Sequence, residues 1–532
     1  MTPAEKRHLA YVLLLAFGLR LFVTVLTPVI GTDGYFFVKN SQFYYSGQFL
    51  EALKASHQPL YPMLIALFNK AVGNFEVAGK LVSLILGTLT VLPLYFLARS
   101  IFSHRVAVFA AFVLALNVTH IRLSADIMTE SAYTFFFVSA VWLSWEMLRG
   151  ETGILPVLAG VFTALAYYTR PEGLGVALVA VPWLFLRGFW DAQVPSRPLR
   201  TAFLFTLVTV MLVLPYVLFI HKETGVWNIT KKGSSREIMG YETAKTPEER
   251  KSIDKVEERK SDFEWLFECK QKGYYPFIGF YIVGKFIKVC FYPFIPFMLL
   301  GLFTVRRNSG RPGNVLRDIM NIRMALSSGR PSGEFFIIFI FLLYFIVLFM
   351  LATTSYYVSG RYLLPLMALS AMWTGAGMER TVRYLSEANL RGFNVSAGTA
   401  TVMVLVLLSV LTLPKATKIK RRHEIMQKEA GHWLRDRDSK RPPVIMGLQK
   451  VAFYADCEFV PMPDGGYNRL VEVAKDYDID YLLIYAEETS PEVLQLLDDS
   501  EDFMFVKGWV EKKKGRHLQA YWFVAGHNSA PK

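Results

Sequence analysis

Residues 9–47 read LAYVLLLAFGLRLFVTVLTPVIGTDGYFFVKNSQFYYSG: an apolar run, then a carboxylate, Asp33, then a cluster of aromatic side chains. The run over 9–29 has the roughly 20 residues that a membrane-crossing helix needs. It follows Lys6 and Arg7 and has no small-residue cleavage site at its end, so it reads as a retained helix and not as a signal peptide. Comparable runs recur at 77–99, 104–119, 128–148, 154–169, 173–187, 201–220, 283–304, 334–353, 361–378 and 395–414, about eleven in all. With 53% hydrophobic and 19% charged residues over 532 positions, the chain is too apolar for a soluble globule. The prediction is a mainly α polytopic membrane protein.

The formal charge of +14 would suggest nucleic acid in a soluble protein. Here the basic residues mark topology and contacts with anionic membrane lipids, and nucleic acid is not an expected partner. Arg99 with Arg105, Arg149, Arg187 with Arg197 and Arg200, the segment Arg306 to Arg330, and Arg380 with Arg383 and Arg391 read as five cytoplasmic turns, which places the N-terminus inside. The stretch 59–73, short and carrying Pro59 and Pro62, then reads as a re-entrant or interfacial helix. On that topology Asp33, His57, Gln58, Arg122, Asp126, Glu130, Arg170, Glu172, Tyr357 and Arg361 share the outer face. The basic run Lys415, Lys418, Lys420, Arg421 and Arg422 after the last span argues the other way, because such residues favour the cytoplasm.

Two extramembrane parts remain. Residues 221–282 form a long outer loop with capping-box spacing at Thr246 and Glu249 and Pro247 at the first helical position. Residues 415–532 read as a small α/β domain beside a transmembrane domain of residues 1–414. Strand-like PVIMGL, FVPMP and YLLIYA alternate with helical NRLVEVAKDY and PEVLQLLDD, and FMFVKGWV can pair with LQAYWFV as a hairpin. Cys269, Cys290 and Cys457 have no metal-ligand spacing, and Cys269 and Cys457 could pair only if both lie outside.

Five constellations carry chemistry, each with a plainer alternative. Asp33, beside Tyr35, Phe36, Phe37, Phe43, Tyr44 and Tyr45, suits a base next to aromatic faces that accept sugars or prenyl chains, or it caps a helix. His57 and Gln58 precede two prolines that would hold them toward a cavity, or simply in a rigid turn. In RLSADIMTES, Arg122, Asp126 and Glu130 share a face if helical; they form an ion ladder, or bind a phosphorylated donor or a metal, although a metal would lack a nearby His or third carboxylate. In YYTRPEG, Arg170 and Glu172 flank Pro171 and can satisfy each other. In SYYVSGRYLLPL, Arg361 beside Tyr356, Tyr357 and Tyr362 suits a phosphate contact, or it snorkels to the interface.

In order and spacing, GTDGYFFVKNSQFYYSG, SHQPLYPMLIALF, FEVAGKLVSLILGTLTVLPLYFLAR, RLSADIMTESAYTFFF, YYTRPEG and SGRYLLPLMAL resemble the GT-C membrane glycosyltransferases, over roughly residues 9–380. The branch most similar is the protein O-mannosyltransferase and lipid A aminoarabinose transferase type. That resemblance implies an enzyme of a bacterial inner or plasma membrane, acting on its outer side with a polyprenyl-phosphate-linked sugar donor and an acceptor lipid, glycan or protein. It implies Asp33 as the catalytic base, Arg361 with Arg170 at the donor's leaving phosphate, and His57 orienting donor or base; beside these, Tyr357 is expected at the donor and its phosphate, and Tyr35, Gln58, Arg122, Asp126, Glu130 and Glu172 at the acceptor or sugar or supporting these. A divalent metal stays open. The family's second acidic residue is absent, since Gly34 follows Asp33, and the Trp-Trp-Asp of oligosaccharyltransferases is missing. Asn228 and Asn394 fit glycosylation acceptor patterns. A transporter or flippase, or a non-catalytic binder of lipid-linked saccharides, is the alternative; polar clusters at one surface instead of the midplane favour the enzyme.

Overall fold

The computed structural model describes residues 1–55, 57–150, 153–190, 196–231, 257–303, 333–387, 395–418, 421–437, 442–463, 465–511 and 515–524. The expected capping box at Thr246 and Glu249, the arginine-rich turn 306–330, Arg391 and Asn394 lie outside these residues. The chain forms two compact units: residues 1–25 with 40–418, and residues 26–39 with 419–532.

The first unit is helical. Five described helices are long and apolar enough to cross a membrane: Pro3–Val25, Phe75–Ile101, Pro198–Thr224, Gly333–Ser355 and Ala397–Ala416. Two bent pairs raise this to seven if each is one span: His104–Leu116 with Val118–Ser124, bent by 60°, and Tyr275–Cys290 with Tyr292–Leu302, bent by 92°. The helix Leu60–Val72, at 13 residues, is about 20 Å long, short of the ~30 Å hydrocarbon core. It stops at left-handed Gly73, and Asn74 caps the next helix by accepting the Val77 N–H at 3.0 Å.

Apolar side chains gain little by leaving lipid for a helix interface, so close backbone approach does more of the work. Gly377, in helix Leu364–Glu387, and Gly301, in helix Ile295–Phe303, face each other's backbones. A Cβ on Gly377 would overlap the Phe297 carbonyl, and one on Gly301 the Trp373 carbonyl. Gly375 does the same against helix His104–Leu116, where a Cβ would stand 2.6 Å from the Val106 carbonyl oxygen.

The second unit holds a five-stranded sheet, β1 (Val444–Gly447), β2 (Glu458–Pro461), β3 (Tyr481–Tyr485), β4 (Phe503–Val510) and β5 (His517–Phe523), in the order β2-β1-β3-β5-β4. β1 pairs parallel with β2 and β3, and β5 antiparallel with β3 and β4. Both faces of β3 are covered: Tyr481, Leu483 and Tyr485 enter one apolar cluster, Leu482 and Ile484 the other. This is why its sequence is an unbroken apolar run instead of an alternating one.

Residues 26–39 are part of this unit. The Ile30 N–H donates to the Tyr454 hydroxyl at 3.1 Å, Arg421 donates to the Val29 carbonyl at 3.1 Å, and Lys428 to the Pro28 carbonyl at 3.2 Å. The Tyr35 ring meets Phe453 and Phe459 edge-on, centroids 6.4 and 6.2 Å away.

Candidate functional site

The predicted residues divide between the two units. Asp33 and Tyr35 belong to the second; His57, Gln58, Arg122, Asp126, Glu130, Arg170, Glu172, Tyr357 and Arg361 belong to the first. Asp33 is the second residue of helix Thr32–Tyr45, in its first turn, where the helix dipole favours a negative charge. Tyr35 is buried in its aromatic contacts.

In the first unit a cluster of two arginines and two glutamates forms around Glu130. Helix Leu155–Thr169 ends at Arg170, whose extended backbone precedes Pro171. The turn Pro171–Leu174 folds back so tightly that a Cβ on Gly173 would stand 2.5 Å from the Tyr167 nitrogen. This fold directs Arg170 and Glu172 together, with the Arg170 Nη2 3.1 Å from the Glu172 Oε1. The Arg170 Nη1 lies 3.3 Å from the Glu130 Oε1, and the Arg361 Nε reaches the same oxygen at 3.4 Å. Tyr362 stacks under the Arg170 guanidinium at 4.4 Å and Tyr133 lies at 5.6 Å.

The four charges sum to zero, but they are not equally accessible. The Arg170 and Glu130 side chains are 6% and 4% exposed, Arg361 25%. Burial disfavours the charged form of Arg170, but Glu172 and Glu130 outweigh it and hold the guanidinium above its ordinary value. Arg170 is therefore a fixed cation already committed to carboxylates, whereas Arg361 is the one at an accessible edge.

Gln58 is buried, and its Nε2 donates to the Ile229 carbonyl at 3.3 Å. Tyr167, three residues before Arg170, donates to the same carbonyl at 2.9 Å. His57 is half-buried beside Gln58, and Tyr357 half-buried in the turn before Arg361. The predicted common face of Arg122, Asp126 and Glu130 is not formed, because the helix stops at Ser124 and restarts at Thr129. Local bonding competes with the helical ladder there. The Ser124 hydroxyl donates to the His120 carbonyl at 2.7 Å, and the Asp126 carboxylate accepts the Ile127 N–H at 2.9 Å. Arg122 instead donates to the Lys415 carbonyl. That contact sets the end of the last span beside Arg122, so Lys415, one of the basic residues that opposed the topology, and the predicted outer-face residue Arg122 share one end of this unit. Among the described residues no three His, Cys, Asp or Glu side chains gather as a metal would require.

Sequence reasoning missed a second buried network. Arg20, fully buried, donates to the Ala16 carbonyl at 2.9 Å and the Leu114 carbonyl at 3.2 Å, and contacts the His120 Nδ1 at 2.8 Å. From His120 the chain continues through Ser124, 3.3 Å away, to Ser131, next to Glu130. Asn117 clasps the two bent helices. Its Oδ1 accepts the His120 N–H at 2.9 Å, and its Nδ2 donates to the Val289 carbonyl at 3.0 Å. The available signal was an arginine in the middle of an apolar run.

Known proteins share both a segment and the fold. Residues 56–219 match the family model described as dolichyl-phosphate-mannose-protein mannosyltransferase. The chain superposes on ArnT from Cupriavidus metallidurans bound to undecaprenyl phosphate with a TM-score of 0.60 at 11% identity, covering 98% of each chain. The Archaeoglobus fulgidus oligosaccharyltransferase in complex with Zn and sulfate gives 0.57 at 12% identity, over 95% of this chain and 72% of that one. AglB from the same organism, in complex with an inhibitory peptide and a dolichol-phosphate, gives 0.53 at 13%, over 91% and 70%. No curated protein sequence matches. These likenesses define the class: a polytopic membrane protein with the GT-C fold of the membrane glycosyltransferases. Within that class, the matched segment holds Glu130, Arg170 and Glu172, three of the four charges in the cluster.

Proposed function

We propose that this protein transfers a sugar from a polyprenyl-phosphate donor to an acceptor hydroxyl on the outer side of the membrane, with inversion at the anomeric carbon. The observation that carries the reading is the mannosyltransferase match over 56–219, set on a fold shared with proteins bound to undecaprenyl phosphate and dolichol-phosphate. Asp33 accepts the proton of the acceptor hydroxyl. The hydroxyl oxygen attacks the anomeric carbon from the face opposite the lipid phosphate, the bond from that carbon to the phosphate oxygen breaks, and negative charge grows on the leaving phosphate. Arg361, the accessible cation of the cluster, stabilises that charge. Arg170 acts differently from the first expectation: bound to Glu130 and Glu172, it fixes the carboxylate that holds Arg361. His57 and Tyr357 orient the donor, and Gln58, held by its bond to the Ile229 carbonyl, supports the acceptor or sugar.

The test is transfer by the purified protein with Asp33→Asn, which keeps size and hydrogen bonding but removes the base. The reading expects a fall in rate of about 1000-fold with normal folding. Undiminished transfer removes Asp33 from the mechanism.

A further inference from the structure

Arg122 and Lys415 form a cationic site that the transfer chemistry does not use. Arg122 is half-buried and fixed, its guanidinium donating to the Lys415 carbonyl at the end of helix Ala397–Ala416. An interface arginine that only snorkels keeps its head in water. Here the Arg122 Nε is buried and finds no hydrogen-bond partner among the described residues. The Lys415 ammonium stands 5.0 Å over the Phe291 ring. Phe291 is a non-glycine residue at φ 72°, at the 92° break of a bent helix, a kind of strained position that clusters at ligand sites. Among the described residues, neither Arg122 nor Lys415 has a carboxylate within ion-pair distance, unlike Arg170 and Arg361. Exposed Lys418 follows one turn later.

We infer that Arg122 and Lys415 bind a phosphate ester, the headgroup of an anionic membrane lipid, at a site of their own. A planar guanidinium already held by one backbone bond presents its remaining donors in the fork that suits phosphate, and the lysine adds a point charge. The helix terminus supports this placement: the carbonyls of the last turn of Ala397–Ala416 favour cations there and concentrate them in one place. This inference stands whether or not sugar transfer is the activity, because it concerns binding alone.

The experiment is native mass spectrometry of the full-length purified protein titrated with phosphatidylglycerol or phosphatidylcholine, with and without millimolar inorganic phosphate at constant ionic strength. The expected result is at least fivefold preference for phosphatidylglycerol, lost on Arg122→Gln with Lys415→Gln and kept on Lys415→Arg. Circular dichroism checks the fold of each variant. Lys415→Gln alone changes an exposed side chain and is expected to weaken retention at least threefold in a folded protein. Retention unchanged in both the single and the double variant overturns the site. Displacement of the lipid by inorganic phosphate, with chloride inert, overturns the lipid as its ligand and leaves a free-phosphate site.

Discussion

Glu130→Gln removes the charge that two arginines share while preserving shape. The Glu130 Oε1 lies 3.3 Å from Arg170 and 3.4 Å from Arg361, and its side chain is 4% exposed. At an effective dielectric near 20, each contact carries about 5 kcal/mol of gross Coulomb attraction. Most of that offsets desolvation, and breaking one partner of a buried network costs about 3–5 kcal/mol net. The partial exposure of Arg361 screens its share, and glutamine still offers an acceptor, so we expect about 3 kcal/mol. The assay is thermal unfolding of the purified protein in detergent, followed by tryptophan fluorescence. A double variant with Arg170→Gln sharpens it. Once Arg170 is also neutral, the buried cation that had lost one of its two carboxylates disappears, so the pair should be less destabilised than the sum of the singles by about 1–3 kcal/mol. Unaltered unfolding of Glu130→Gln, or strict additivity in the double variant, would refute the reasoning.

Other outcomes follow from the same geometry. Asn117→Ala removes a helix cap and the donor to the Val289 carbonyl, with an expected loss of about 2–4 kcal/mol in the same unfolding assay. Gly377→Ala forces a Cβ into the Phe297 carbonyl and should sharply lower the yield of folded protein, whereas Gly279→Ala, with nothing within 4 Å, should not. All three cysteines are free thiols. Burial, reinforced by Asp456 and Asp480, pushes the Cys457 thiol up, so its maleimide labelling at pH 7 should be far slower in folded than in denatured protein and should rise with pH. Equal rates would contradict that placement.

Much of this was legible in local sequence. Arg170 and Glu172 lie two residues apart around a proline, and a short turn can bring them together in only a few ways. The sheet domain was readable because its strands and amphipathic helices alternate and its buried β3 is uniformly apolar. The ladder of Arg122, Asp126 and Glu130 misled because four-residue spacing holds only in an unbroken helix, and Ser124 and Asp126 spend their bonding on nearby backbone. Contacts such as Arg20 with His120, and the attachment of residues 26–39 to the C-terminal domain, join positions 100 to 424 apart in the chain. No local period encodes them.

The central claim is best tested by mass spectrometry of envelope lipids and glycans from cells carrying the native protein, the Asp33→Asn variant or neither. We predict that one envelope component lacks a single sugar residue in the last two and that the polyprenyl-phosphate-linked form of that sugar accumulates. Identical profiles in all three, with the protein expressed and folded, would contradict the account.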